Sequence, residues 1–477
     1  MKYTFGSTLL CAAAAAATAA AQSCSSVLIP AKAKPVVAPG WQAQLVAGGL
    51  TKPRSIAFDS TGAVLIVESG KGVSRHRFSD FGGTCLAANH SHMLVEMKEL
   101  NHGIALSADG ATLYASTAEA VLAWTYDARG GAVRSEPRRV VANMSNSDLV
   151  TRTLVMSRAR PGTLIVSRGS ADEHAAHAEV VSSGLSQVRA FDLTNLTSAD
   201  GPYDFSSDGI VLGWGLRNSV GVGEHPTAGT VYAVENSVDG VRRNGVDVHE
   251  NNPGEELNFL GYANGTGAGR NFGYPHCFAV WQVDEIPDNE GLAVGKQFAI
   301  QENSTHRDET CEDKYAPPRL TFPAHYAPMD IKFTPEGQRA YVSFRGSFDR
   351  SSPVGYRVSS LAWDDATGHP VADASSTDAL QDVITNADLS VCPDSCFRPV
   401  GLALDSLGRL WVASDSTGEI YVLQRTGGDQ GVFVQPAGGS GGSNNGSGEN
   451  GAAGSWRRET AMAGALVAAV VGAWLMA

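Results

Sequence analysis

Ser55-Ile56-Ala57-Phe58-Asp59-Ser60-Thr61-Gly62-Ala63-Val64-Leu65-Ile66-Val67-Glu68 holds an alternating apolar strand, a glycine turn and a second, continuously apolar strand. The pair returns along the chain. Five further cores match Leu65–Glu68: Leu113-Tyr114-Ala115-Ser116, Leu164-Ile165-Val166-Ser167, Val231-Tyr232-Ala233-Val234, Ala340-Tyr341-Val342-Ser343 and Leu410-Trp411-Val412-Ala413. Several follow an alternating strand, as in Gly103–Ser107 (G-I-A-L-S), Asp330–Thr334 (D-I-K-F-T) and Gly401–Asp405 (G-L-A-L-D). Period-two alternation followed by a glycine turn and a buried run is the hairpin of a propeller blade. Six such units predict an all-β, six-bladed β-propeller of four-stranded antiparallel blades around a central channel. Loops at one face of that channel are where function is expected.

The two ends of the chain read as addresses. Residues 1–21 have a positive start at Lys2, an alanine-rich apolar run and a small-residue cleavage site, the pattern of a secretory signal. Residues 22–427 form the propeller domain, 428–455 a Gly/Ser/Asn-rich stalk, and 456–477 an apolar tail. Small residues, a polar spacer and a terminal apolar stretch fit a GPI-attachment signal, with Asn450 preferred and Ser447 second; a tail-anchored helix is the alternative. Both readings put the domain outside the cell, in the second case too at the membrane surface.

Cysteine usage agrees with that compartment. Cys11 leaves with the signal, and Cys24, Cys85, Cys277, Cys311, Cys392 and Cys396 remain. Proximity in sequence favours Cys24–Cys85, Cys277–Cys311 and Cys392–Cys396, although other pairings are open. Sequons at Asn89, Asn143, Asn195, Asn264 and Asn303 suit a glycosylated secreted protein. The net charge of −13 argues against nucleic acid and against electrostatic docking on anionic lipid.

The interval from Val231 to Ala340 is roughly twice the others. It holds N-N-P-G-E-E-L-N-F-L-G and G-R-N-F-G-Y-P-H-C-F, and reads as a substrate-side insertion, with an extra degenerate blade as the alternative. No P-loop, G-x-S-x-G elbow, H-E-x-x-H or dinucleotide fingerprint is present. Instead, basic residues and histidines open successive repeats: Arg54, His102, Arg152, Arg217 with Asn218, His325 and Arg398. Each alone would be a surface cation. Equivalent positions in successive blades lie on a ring, however, and a ring of Arg and His suits a polyanionic or carboxylated ligand.

On L-N-H-G-I-A-L-S-A-D-G, V-T-R-T-L, V-S-R-G-S, W-G-L-R-N-S-V-G, N-N-P-G-E-E-L-N, N-F-G-Y-P-H-C and S-F-R-G-S-F-D-R…G-Y-R-V, the chain resembles the soluble quinoprotein glucose/sorbosone dehydrogenase superfamily, closest to the fungal pyranose dehydrogenase catalytic domain. The resemblance covers nearly all of residues 40–425. It implies a six-bladed propeller holding pyrroloquinoline quinone (PQQ), a tricarboxylate, with Ca2+ beside it. It assigns PQQ binding to Arg54, Arg152, Arg217, Asn218 and Arg345, with His102, His325, Arg350, Arg357 and Arg398 as further candidates. Calcium falls to the backbone of Ser237 and Val238, with Asp239, Glu255 and Glu256 as other oxygen donors. The implied partners are a sugar substrate and an external electron acceptor such as a haem protein or copper oxygenase.

Relatives read H-x-T-R where this chain reads Leu149-Val150-Thr151-Arg152. The family's histidine accepts the proton of the sugar's anomeric hydroxyl, and leucine cannot. Either Asp148 or His102 takes that role, or the chain binds its ligand without turnover. A calcium-dependent lactonase-type propeller is a third reading, which would require a Glu/Asn/Asp ligand cluster in the channel rather than cations.

Overall fold

The computed structural model describes residues 24 and 27–426, apart from 172–175, 198, 302 and 304. The signal (1–21), stalk (428–455) and tail (456–477) lie outside the described residues. Among the described residues no helix is long and apolar enough to cross a membrane.

Each recurring apolar core is the second strand of a blade, buried because it is sandwiched between neighbouring sheets. Blade 1 runs Pro53–Phe58, Val64–Glu68, Gly72–Asp80, Leu86–Glu96, and blade 2 runs Leu100–Leu106, Thr112–Thr117, Val121–Asp127, Arg138–Ala142. Blade 3 comprises Leu154–Met156, Thr163–Arg168, Gln187–Asp192 and Ile210–Trp214. Blade 4 comprises Ser219–Glu224, Thr230–Glu235, Glu255–Tyr262 and Leu320–Phe322. Blade 5 is Pro328–Phe333, Arg339–Phe344, Arg357–Asp364 and Gln381–Asn386, extended by Pro35–Val37. Blade 6 takes three strands from the C-terminal part, Pro399–Leu404, Leu410–Ser414 and Glu419–Arg425. Its fourth is the N-terminal Trp41–Ala47, paired antiparallel with Glu419–Arg425, so the ring is closed by hydrogen bonds between distant parts of the chain.

The long interval is no seventh blade. Its extra residues flank the third strand of blade 4, at 236–254 and at 263–319, and the second stretch carries the hairpin Cys277–Ala279/Gln297–Ala299 and the short helix Asp308–Lys314. It has its own small core of Val238, Val241, Val248, Tyr274, Phe278, Val280, Ile286 and Phe298. Arg243, fully buried, is held there by Asp308 at 2.7 and 2.9 Å. The three disulfides are Cys24–Cys85, Cys277–Cys311 and Cys392–Cys396, as sequence proximity predicts. All five sequon asparagines are exposed.

First strands of neighbouring blades pack edge to edge around the axis. At Gly401 an added Cβ would lie 2.0 Å from the Arg54 carbonyl oxygen, and at Gly103 it would lie 2.2 Å from that of Arg152. Backbone therefore meets backbone there, and only glycine fits. The polar residue ending each second strand sets how the chain approaches the axis. Glu68, Ser116, Ser167, Glu235 and Ser414 accept the N–H groups of Thr51, Gly103, Thr153, Arg217 and Arg398 at 2.5–3.1 Å. In blade 5, Ser343 instead donates to the Val400 carbonyl at 2.5 Å.

Blades 1 and 2 share a buried ion pair. Arg75 donates to Asp59 at 2.9 and 3.0 Å, Tyr126 donates to the same carboxylate at 2.7 Å, and Arg75 also reaches the Ala128 carbonyl. Replacing Asp59 by Ala strands the guanidinium in the interior, and equilibrium denaturation should show a loss of about 3–5 kcal/mol. In blade 4, Glu235 and Glu256 are buried and share the Asn258 amide at 3.0 and 2.8 Å. Burial, aided at Glu235 by repulsion from Glu256, holds the protons of this pair well above the ordinary carboxylate range. A raised folded-state pKa stabilises most below the unfolded pKa, and that stability drains away as pH rises towards 7 and beyond. Denaturation midpoints should therefore fall between about pH 5 and 8, and Glu256→Gln should remove up to ~1.4 kcal/mol per pH unit of that slope.

Candidate functional site

One end of the channel opens into a cavity of about 270 Å³. Its walls come from the loops that enter first strands and leave second strands. They include Asp148 and Leu149 before blade 3, Arg217 and Asn218 at the start of blade 4, and Asn236–Asp239 beyond its second strand. His325 and Ala327 precede blade 5, and Gly346–Phe348 follow its second strand. The insertion braces the remaining wall: the Asn252 side chain accepts from Trp281 N and Gln282 N at 3.0 and 3.1 Å, fixing the loop that carries Pro253 and Glu255.

Two buried groups hold these loops together. Glu255 accepts from Ser237 N at 2.7 Å and Ala327 N at 2.9 Å, so one carboxyl ties two walls. Burial pushes its pKa up to about 7, against those two hydrogen bonds. Arg217 donates to the Ser237 carbonyl at 2.5 Å and lies 3.5 Å from Asp239. Asn218 takes the Asn236 N–H on its carbonyl at 3.0 Å.

Next to Gly346 the cations converge. Arg54 and Arg345 share the Asp415 carboxylate at 2.6 and 2.9 Å. Arg398 donates to the carbonyls of Arg345 and Gly346 at 3.2 Å, its guanidinium 5.4 Å from the centre of the Tyr356 ring. Two guanidinium groups thus share one carboxylate while a third, Arg398, is held on backbone carbonyls beside them, with the Arg345 side chain 31% exposed. Burial and then neighbouring Arg345 lower the pKa of Arg54, against the pull of Asp415; repulsion among cations is what an arriving anion would relieve.

His102 belongs to this cluster and not to the cavity lining. Its Nδ1 takes the Arg54 Nε–H at 3.2 Å, and burial, with Arg54 and Lys332 nearby, holds its pKa well below the usual range. It is a neutral ring whose Nδ1 acceptor is engaged. Arg152 is placed as a loop anchor: fully buried, it donates to the carbonyls of Leu149 and Thr151 at 2.8 Å, of Met144 at 2.6 Å, and to the Asn146 side chain. Burial takes its pKa down to about 9. Arg350 binds the backbone and side chain of Glu250, and Arg357 pairs with Asp382 over the Tyr326 ring beside a separate pocket. Arg217, Asn218 and His325 therefore reach the cavity, Arg54, His102, Arg345 and Arg398 form its cationic neighbour, Arg152 and Arg350 brace loops, and Arg357 ties the third and fourth strands of blade 5.

Of the proton-acceptor candidates, Asp148 lines the cavity beside Leu149, which has a left-handed backbone at φ 46°. Ser237 and Val238 also line it. Donor atoms of Asp239, His325 and Asp349 lie within 4.8 Å of one another. His325 gives Nε2–H to the His249 carbonyl at 2.5 Å and faces Asp239 through Nδ1 at 3.5 Å. Burial opposes protonation of His325, but Asp239 and the carbonyl outweigh it and raise its pKa. The carbonyl and carboxylate oxygens here fit a hard divalent cation. Sequence reasoning missed Asp415, Asn236 and Phe348; the usable signal was that each lies just beyond the second strand of its blade.

A family profile described as TrAA12-like matches residues 35–426. The chain is 48% identical over 402 residues to a pyrroloquinoline quinone-dependent sugar dehydrogenase of Hypocrea jecorina, covering 83% of this chain and 90% of the relative. It is 34% identical over 392 residues to a pyrroloquinoline quinone-dependent pyranose dehydrogenase of Coprinopsis cinerea, covering 79% of this chain and 53% of that protein. Among solved structures, the calcium structure of the Trichoderma reesei family AA12 enzyme has a TM-score of 0.82 at 49% identity, covering 84% of this chain and 99% of that one. The holo PQQ domain of the Coprinopsis cinerea pyranose dehydrogenase gives 0.79 at 33% identity, with coverage of 84% and 99%. A six-bladed ring with cations gathered beside an axial cavity, matched over its whole length to these proteins, is a member of the TrAA12-like family of PQQ-dependent sugar dehydrogenases.

Proposed function

We propose that the chain is an extracellular PQQ-dependent oxidoreductase that oxidises a pyranose and passes the electrons to a separate acceptor protein. The observation that carries this reading is the excess of cations beside the cavity, with Arg54 and Arg345 sharing Asp415 and Arg398 next to them on backbone carbonyls. An organic polycarboxylate is the ligand such an excess suits, since charge-assisted Arg–carboxylate bonds are strong when partly desolvated. PQQ, when bound, supplies the two-electron acceptor for the sugar.

The chain's own residues do the positioning. Arg54, Arg345 and Arg398 would take carboxylates, while Arg217 and Asn218 fix the loop 236–239 that forms one wall of the cavity. Calcium would draw on oxygens of the 237–239 loop, with Ser237 and Val238 offering carbonyls and Asp239 a carboxylate. Asp148 would accept the proton of the sugar hydroxyl; its position in the cavity lining, beside a Leu149 that cannot serve, supports this role. His102, neutral and bonded to Arg54, would orient that arginine. The secretory signal, sequons and GPI-type tail support display at the cell surface, and a haem protein or copper oxygenase is the class of acceptor expected. The cavity does hold Asn218, Asn236, Asp239 and Glu255, the residue types a lactonase would need, but Glu255 is committed to Ser237 N and Ala327 N and the Asn236 amide to the Pro328 carbonyl, which with the cations alongside disfavours that reading. A ligand-binding propeller without turnover keeps one supporting observation, the hydrocarbon side chain of Leu149 in the cavity wall.

Purified protein supplied with PQQ and Ca2+ should show the spectral change of bound quinone and reduce a dye when sugar is added. Arg345→Ala should weaken quinone binding about 10- to 100-fold, the value of one charged hydrogen bond. Asp148→Asn should leave quinone binding intact and cut turnover by about 10²–10⁴-fold, and adding Leu149→His to that variant should restore activity. Quinone binding with no dye reduction in any variant would establish the binding-propeller reading; no quinone binding at all would remove both.

A further inference from the structure

The aromatic side chain at the cavity rim, Phe348, belongs to none of the buried core clusters of the described residues. Phe348 lines the cavity yet is 74% exposed, and it takes part in none of the ring pairs of the described residues. A single exposed phenylalanine is ordinary on a protein surface; what sets this one apart is its place in the cavity wall. Its loop is also held in place from both sides. Ser347 N donates to the Val354 carbonyl and Val354 N to Ser347 Oγ, both at 3.0 Å, while the Tyr356 hydroxyl bonds the Ser347 carbonyl. On the other side Asp349 accepts from Gly240 N at 2.8 Å, and Arg350 donates to the Glu250 carbonyl at 2.7 Å. The ring is thus carried between anchored neighbours, ready to receive a ligand at little ordering cost.

We propose that Phe348 is the stacking platform for the pyranose, a specificity-determining residue of the cavity rim; this rests on the sugar-oxidising reading above. The chemistry matches on both surfaces of a sugar. A pyranose has a face of axial C–H bonds, slightly positive, which suits the negative face of a phenyl ring. Its edge is a circle of hydroxyls, and carboxylate acceptors stand at the same cavity in Asp148 and Asp239. A sugar with an axial hydroxyl on the stacking face would lose the contact, so discrimination among epimers follows from the ring.

The test uses two readouts. In saturation-transfer difference NMR on the protein without quinone, irradiating aromatic protons should saturate the C–H protons of one face of glucose. The effect should vanish in Phe348→Ala and persist in Phe348→Trp. In quinone-loaded enzyme, Phe348→Ala should raise the KM for glucose about 10-fold, ~1.4 kcal/mol, while quinone affinity and kcat stay within about threefold. Phe348 is exposed, so the variant should fold as the parent does. Saturation absent in the parent, or unchanged in Phe348→Ala, overturns the proposal, as does an unchanged KM. If the NMR effect behaves as expected but quinone never binds, the sugar platform stands and the oxidoreductase reading falls.

Discussion

The pairing of Trp41–Ala47 with Glu419–Arg425 is the constraint on which everything else rests. Without it five blades and three strands would leave two open sheet edges, exposing unpaired backbone donors and acceptors. More important for function, a ring that can splay does not fix distances across its axis. Arg54 from blade 1, Arg345 from blade 5 and Asp415 from blade 6 meet only because the circle is shut. The closing hydrogen bonds join residues nearly four hundred positions apart, so the entropy cost of that long loop is met by the whole strand pairing rather than by one contact.

Within the closed ring, charge placement follows a simple economy of neighbours. Like charges are held together where the fold provides few carboxylates, and burial raises the cost of each one. Arg152 shows the opposite case: a buried cation neutralised by carbonyl oxygens and committed to shaping a loop. Arg54 and Arg152 both open a blade, at equivalent points of the repeat, their carbonyls facing Gly401 and Gly103 of neighbouring first strands. What separates them is the nearest acceptor, carbonyls in one case and a single shared carboxylate in the other.

That difference marks how far the sequence could be read. The six second strands were legible because burial on both faces demands unbroken apolar runs such as Leu65-Ile66-Val67 and Leu164-Ile165-Val166. The family motifs located the cavity at Arg217-Asn218 and Ser237-Val238. Register fixes where a Cα sits but not where a long guanidinium goes, so Arg152, Arg350 and Arg357 could not be told from Arg54 and Arg345. Of their partners, Asn146 and Glu250 lie on loops with no periodic signature, and Asp382 lies on a fourth strand whose register with Arg357 the sequence does not reveal. Phe348 escaped for a related reason: an aromatic residue on an irregular loop gives no sign of whether it is tucked in or displayed. The insertion, by contrast, was correctly seen as a loop-borne wall, because its interruption of blade spacing is visible in the chain.

The direction of the strands gives the domain a front and a back. First strands start at the cavity, second strands return to it, and third strands run away from it. Arg425 ends the third strand of blade 6, so the chain departs from the rear of the disc.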